Sequence, residues 1–151
     1  MWSMLQAPGL AGVALFAACA VAAATAVANA NTNAIGDVPV SALARAVTPD
    51  GTDLFVQHVR LGANAATGWH THPGPALVAV AKGSITYQNA EAKACKSVTY
   101  VAGEGFVDRG FGHVHRAIAG ADGVDFYVVY LLPPGSEAHV IPASPPAECD
   151  S

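Results

Sequence analysis

The chain is poor in cysteine, in charge and in aromatic side chains: 3 Cys, 12% Asp, Glu, Lys and Arg, and 7% Phe, Trp and Tyr in 151 residues. No run of Lys or Arg occurs, so the electrostatic footprint of a nucleic-acid binder is missing. No C-x-x-C spacing occurs, which speaks against metal ligation by cysteine. Neither a Ser-His-Asp order nor a phosphate-binding glycine loop stands out, and no internal repeat is visible. Helical periodicity is also lacking beyond the first thirty residues.

Charge is absent altogether from Gly9 to Ala30, and this segment lifts the hydrophobic content to 52% and the mean hydropathy to +0.36. Gly12–Ala28 has the composition of a secretory h-region, with Ala28-Asn29-Ala30 or Ala26-Val27-Ala28 as small-residue cleavage sites. Residues 1–30 are therefore expected to be a cleaved signal peptide, and the mature chain to be periplasmic or secreted from a bacterium. Met1–Pro8 departs from the pattern by carrying no Lys or Arg. Two other fates stay open. The segment is long enough for an uncleaved membrane anchor, and Phe16-Ala17-Ala18-Cys19 resembles a lipoprotein box that would lipidate Cys19. Membrane association is expected only through such a leader.

All Asp, Glu, Lys and Arg lie after Ala30, so the mature chain keeps the net charge of −4. Cleavage removes Cys19 and leaves Cys95 and Cys149. In an oxidising compartment these two pair, tying the C-terminal tail to the middle of the domain; in a cytosolic protein they stay free thiols.

From Ser41 onward, short strand-like runs alternate with Gly, Pro, Asn and Asp: Ala42–Val47, Leu54–Leu61, Ala76–Ala81, Ser84–Gln88, Ser97–Val101, Gly105–Asp108, Val114–Ala119 and Val124–Leu132. In the second run Phe55, Gln57, Val59 and Leu61 share one face, with His58 and Arg60 on the other. Asn89–Lys96 reads as a polar loop carrying Cys95. The stretch from His139 to the end, with Pro142, Pro145 and Pro146, reads as an irregular tail. The pattern predicts a single all-β domain, a sandwich or barrel. Residues 31–51 form a lead-in and first strand, 52–135 the body, and 136–151 the tail.

Against this background the histidines are conspicuous. Gly68-Trp69-His70-Thr71-His72-Pro73-Gly74-Pro75 holds one H-x-H pair and His113-Val114-His115 a second. Chance would give roughly 0.2 such pairs in a chain of this composition. On a strand, residues two apart point the same way, so two imidazoles converge on one ion; on a helix they would diverge. Neutral imidazole is the commonest metal ligand. The spacing predicts a metal site held between strands.

The segments Gly68–Gly83 and Gly103–Ala119 resemble the two motifs of cupins, double-sheet jelly rolls. The resemblance spans roughly Thr52 to Gly135 and is nearest to small exported bacterial cupins with paired cysteines where Cys95 and Cys149 stand. It implies a double-stranded β-helix barrel with His70, His72 and His115 as metal ligands; His113 is either a rim or supporting residue or, if the strand already begins there, the third ligand in place of His115. The usual glutamate ligand falls at Ala76, so only three nitrogens remain. An all-nitrogen set suits Fe, Zn, Cu or Ni and not Mg or Ca. Glu104 is a candidate replacement carboxylate, though its Gly-Glu-Gly turn points to solvent.

Other cavity candidates are Tyr87, as an acid or hydrogen-bond donor, Trp69, and Asp108-Arg109 at the mouth, the last two residues reading most simply as an exposed charge pair. His139 reads as solvated. The functional expectation is a metal-dependent oxygenase or related small-molecule enzyme. Its alternative is a non-catalytic module binding metal or a small ligand such as a sugar or aromatic acid. A homodimer is implied by the resemblance alone.

Overall fold

A computed structural model describes residues 39–149 with 92 excepted. The leader, its cleavage sites and Cys19 lie outside the described residues. Eight strands follow in order: β1 (Val40–Val47), β2 (Asp53–Leu61), β3 (His70–Thr71), β4 (Ala76–Glu91), β5 (Ala94–Val101), β6 (Gly105–Asp108), β7 (His115–Leu132) and β8 (Ile141–Pro142), then a short 3₁₀ turn at Ala147–Cys149. All pairings are antiparallel. Among the described residues no helix is long and apolar enough to cross a membrane.

The architecture follows from two long strands that each serve both halves of a curled sheet. The first part of β4 pairs with β6 and the last part of β7, and the second part of β4 pairs with β5 and the first part of β7. At the corner both strands change the parity of their inward residues. Ala76, Val78 and Val80 point in before it and Ile85 and Asn89 after it; on β7 His115, Ala117 and Ala119 are followed by Phe126, Val128 and Tyr130. The switch needs breaks in register: on β4 the ladder to β7 is broken between Val80 and Lys82, where β4 changes parity, and again between Gly83 and Ile85, opposite Ala119–Val124, where β7 does. Such bulges let one strand bend while keeping its ladder on either side. For this reason the runs expected as separate strands, Ala76–Ala81 with Ser84–Gln88 and Val114–Ala119 with Val124–Leu132, are two continuous strands bent at glycines.

Side chains from both halves form one core that includes Phe55, Val59, Val80, Ile85, Phe126 and Val128. The face assignment on β2 holds, with Phe55, Gln57, Val59 and Leu61 buried and His58 and Arg60 outside. The outward face is unusually apolar: Ala44, Val56, Val129, Leu77 and Val107 lie in one cross-strand row over five strands, and Leu77 and Val107 are exposed.

Two expectations need correction. Asn89–Lys96 is not a loop: β4 and β5 form a hairpin through it, with Cys95 paired to Ala90 and Lys93 at φ 66°. The tail is not wholly irregular either. Ile141 and Pro142 pair with Thr71 and His70, a place that tolerates proline because the pairing is only two residues long at a sheet edge. Cys149 forms a disulfide with Cys95, the Cα atoms 4.9 Å apart. Closing a loop of that length stabilises by about 4 kcal/mol in the chain-entropy picture.

Gly83 is the corner residue with least latitude. Its φ is +72°, and a Cβ there would lie 2.1 Å from the carbonyl oxygen of Gly123. Gly83→Ala is expected to destabilise the domain by at least about 2 kcal/mol, read from the midpoint of urea unfolding. A midpoint within 0.2 M of wild type would show that the corner relaxes freely (order of magnitude from typical urea slopes, roughly 1–3 kcal/mol per M).

Candidate metal centre

His70 and His115 are direct cross-strand partners on β3 and β7, and His72 follows His70 two residues on. The strand geometry turns all three inward, where each is no more than 5% exposed. Their ring centroids form a triangle, 5.0 Å for His70–His72, 4.4 Å for His70–His115 and 5.0 Å for His72–His115. One nitrogen from each lies within 4.8 Å of the others.

Which nitrogen is free follows from the hydrogen bonds. His70 Nδ1 is 2.7 Å from the Gly68 carbonyl, His72 Nδ1 2.7 Å from the His139 carbonyl, and His115 Nδ1 3.1 Å from the His113 carbonyl. A carbonyl can only accept, so each Nδ1 carries the proton and each Nε2 offers its lone pair. Burial pushes His70 down to about 4 and holds His72 and His115 below the ordinary histidine value as well, against the opposing pull of their carbonyl partners. The cluster is therefore neutral and ready to accept a cation near pH 7. The donor set fits a divalent transition metal.

Behind His115 stands Asp108, 2% exposed. Its Oδ1 accepts the Gly110 N–H at 2.7 Å, while Oδ2 accepts the Tyr87 hydroxyl and faces His113 Nδ1 at 3.1 Å and His115 Nδ1 at 3.2 Å. Burial alone would raise this carboxyl; the His115 imidazole and the hydrogen bonds from Tyr87, His113 and Gly110 outweigh it and keep the pKa below the ordinary aspartate value. Burial and the bond to Asp108 push the Tyr87 phenol far up, so it stays a donor. His113 is fully engaged: Nδ1–H points at Asp108 and at the Tyr87 oxygen, 3.1 Å away, and Nε2 accepts from the Asn89 amide at 3.0 Å. It has no lone pair to spare for an ion and acts as a support.

His70, His72, Tyr87, Asp108 and His115 line a cavity of about 40 Å³ together with Thr67 and Tyr130, with Val59, Val78, Ile85, Phe106, Phe126 and Val128 in its apolar walls. Ala76, 1% exposed, also lines it and leaves room where a carboxylate would have stood. Outside, a groove of about 510 Å³ is bounded by Arg109, Phe111, His113, Val114 and Pro146.

Several expected residues fall elsewhere. Asp108 and Arg109 are not an exposed pair: alternation buries the first and exposes the second. Trp69 faces away from the cavity, with the Arg116 guanidinium 4.8 Å above its ring. The Glu104 carboxylate accepts the Val101 N–H at an exposed turn and stays apart from the histidines. His139 is not solvated; it packs edge-on against Phe55 and Tyr130, at 4.9 and 5.0 Å. One cavity residue had no signal in the sequence. Tyr130 sits inside the apolar run of β7, 5.1 Å from the His72 ring, its phenol pushed well above the ordinary value by burial.

No family model and no curated protein matches this chain. Solved structures do. A cupin superfamily protein from Desulfitobacterium hafniense is 16% identical at a TM-score of 0.50, over 64% of this chain and 78% of that one. A conserved protein with a double-stranded β-helix domain from Klebsiella pneumoniae is 19% identical at 0.53, over 72% and 87%. The fold is the cupin fold. Oxalate decarboxylase from Bacillus subtilis also matches, 20% identical at 0.54 over 62% of this chain, which spans only 25% of the decarboxylase. At such identities the likeness to these proteins is one of fold alone.

Because the unfolded chain takes up protons on these histidines near pH 6.5 and the folded one resists until about 4 at His70, falling pH favours unfolding across that window. The metal-free domain is expected to lose thermal stability progressively from pH 6.5 to 4, by differential scanning calorimetry. A flat profile would rule out neutral buried imidazoles. Asp108→Ala, which strips the partner from Tyr87, His113 and Gly110 together, is expected to lower stability by about 3 kcal/mol or more in chemical unfolding.

Proposed function

We propose that this chain is an exported cupin-fold protein in which His70, His72 and His115 hold one divalent transition-metal ion (Fe, Zn, Cu or Ni) for chemistry on a very small molecule. The observation that carries the reading is the set of three Nδ1–carbonyl bonds, which commits every ring to presenting Nε2 at one point. A bound ion would supply Lewis acidity or, if redox-active, electron transfer to a ligand in its open positions. The protein's share is visible in its own residues. Asp108 and the His113 carbonyl fix the His115 ring, Tyr87 keeps its proton on Asp108, and the apolar walls limit water.

The cavity bounds the substrate. At about 40 Å³ it falls far short of the roughly 300–1,000 Å³ of an ordinary ligand pocket, such as a sugar or an aromatic acid would need. A larger ligand would have to lie in the outer groove beside Arg109 and Phe111. The same confinement favours a second reading, a non-catalytic metal-binding module. An Fe(II)-loaded chain that consumes dioxygen with an added organic substrate supports the oxygenase reading; one that never turns over supports the module. Export is supported by the Cys95–Cys149 disulfide, which suits an oxidising compartment, and by the composition of residues 1–30.

The metal reading is tested by elemental analysis after loading with Fe, Zn, Cu and Ni in turn. Wild type is expected to retain about one equivalent of at least one metal. His70→Ala and His72→Ala are each expected to weaken binding by about 100-fold or more, since either leaves only two ligands. Equal retention by wild type and variants would sink the three-histidine centre.

A further inference from the structure

The cavity is lined by seven polar side chains: Thr67, His70, His72, Tyr87, Asp108, His115 and Tyr130. Six are already committed. The Thr67 hydroxyl accepts the Ala117 N–H at 2.9 Å, and its own proton faces the Ala117 carbonyl. The three histidines spend Nδ1–H on backbone carbonyls and have only lone pairs to offer. Tyr87 gives its single proton to Asp108, and Asp108 is an acceptor already serving several donors. Tyr130 is the exception. It is 3% exposed, and among the described residues no hydrogen bond takes up its hydroxyl. The fully buried side-chain atoms without a partner are Gln57 Oε1 and Thr71 Oγ1; the Tyr130 hydroxyl is not one of them, because it opens on the cavity, where a phenol O–H is free to donate.

Its place in the register says where in the cavity it stands. Tyr130 is the direct cross-strand partner of Ala76, both pointing inward, so their Cβ atoms are about 4.5–5.5 Å apart. Ala76 is where the usual carboxylate is missing, and the Tyr130 ring lies against His72, 5.1 Å between centroids. A long polar side chain thus stands on β7 beside the gap left on β4.

We propose that the Tyr130 hydroxyl is the hydrogen-bond donor to a small ligand held at the three-histidine centre, supplying from β7 the polar contact that a side chain at position 76 does not supply from β4. The inference rests on the metal reading above. The ligand class follows from size and chemistry: a cavity of about 40 Å³ that also takes the ion leaves space for only a very small ligand, and one free donor selects an acceptor. Water, hydroxide, a diatomic molecule with a lone pair or a triatomic anion qualifies; a hydrogen-bond donor such as ammonium does not. Tyr130 is in this sense a positioning and selecting residue.

Azide, a triatomic anion, is the probe. The full chain is loaded with one equivalent of Co(II), and azide is titrated by the change in visible absorption. Tyr130→Phe removes one oxygen and is expected to keep Co(II) stoichiometry and the azide-free spectrum while weakening azide by roughly 5- to 10-fold, the loss of one hydrogen bond. The infrared stretch of bound azide is expected to shift between H₂O and D₂O in wild type and to lose that shift in the variant. An azide affinity unchanged by Tyr130→Phe, or a wild-type stretch insensitive to deuterium, overturns the proposal and leaves the metal centre standing. A wild-type chain that holds no Co(II) overturns both.

Discussion

A buried imidazole needs a partner for its N–H, and in this domain the interior is arranged so that the backbone supplies one to each ring of the cluster. Three carbonyls, of Gly68, His113 and His139, are turned away from sheet pairing to meet three Nδ1–H groups. They come from the approach to β3, the approach to β7 and the segment before β8, so three separate parts of the chain have to arrive together. The short β3–β8 pairing and the cross-strand meeting of His70 with His115 are what bring them there. Desolvation then keeps the rings neutral, the state in which imidazole is a ligand.

Asp108 extends the same logic one layer outward. A lone carboxylate in an apolar wall would be protonated or costly; here donors from Tyr87, His113 and Gly110 make it affordable as an anion. The result is a graded interior, from the exposed Phe111–Gly112 through His113 and Asp108 to the convergent nitrogens. Phe111, with φ 51° and 73% exposure, marks the outer end of that gradient.

Much of the frame could be read from residue order, because its causes are local. The His70-Thr71-His72 spacing places two rings on one face through the two-residue period of a strand. Gly83 announces a corner because few other residues tolerate its dihedral. What escaped has non-local causes. Asp108-Arg109 looks like a surface pair until alternation and the surrounding donors are known. Tyr130 hides in an apolar run, since nothing nearby says that its partner across the sheet is Ala76. The tail looks irregular because a two-residue strand has no period to detect, and His139 matters through its carbonyl, which any residue would offer. The split of β4 and β7 into shorter pieces came from taking glycines as ends where they are bends.

The disulfide acquires a second meaning from this geometry. Cys149 anchors a tail whose residues include β8 and the carbonyl that fixes His72, so the Cys95–Cys149 bond holds down one of the three braces of the centre. Reduced, the tail is retained by a two-residue pairing and by the packing of Val140 and His139, and the His72 ring loses the restraint that selects its tautomer whenever the tail lifts. The tautomer of a ring at the heart of the barrel thus hangs on a bond at its rim: the Cys95–Cys149 disulfide that fixes the tail also fixes the carbonyl that orients His72.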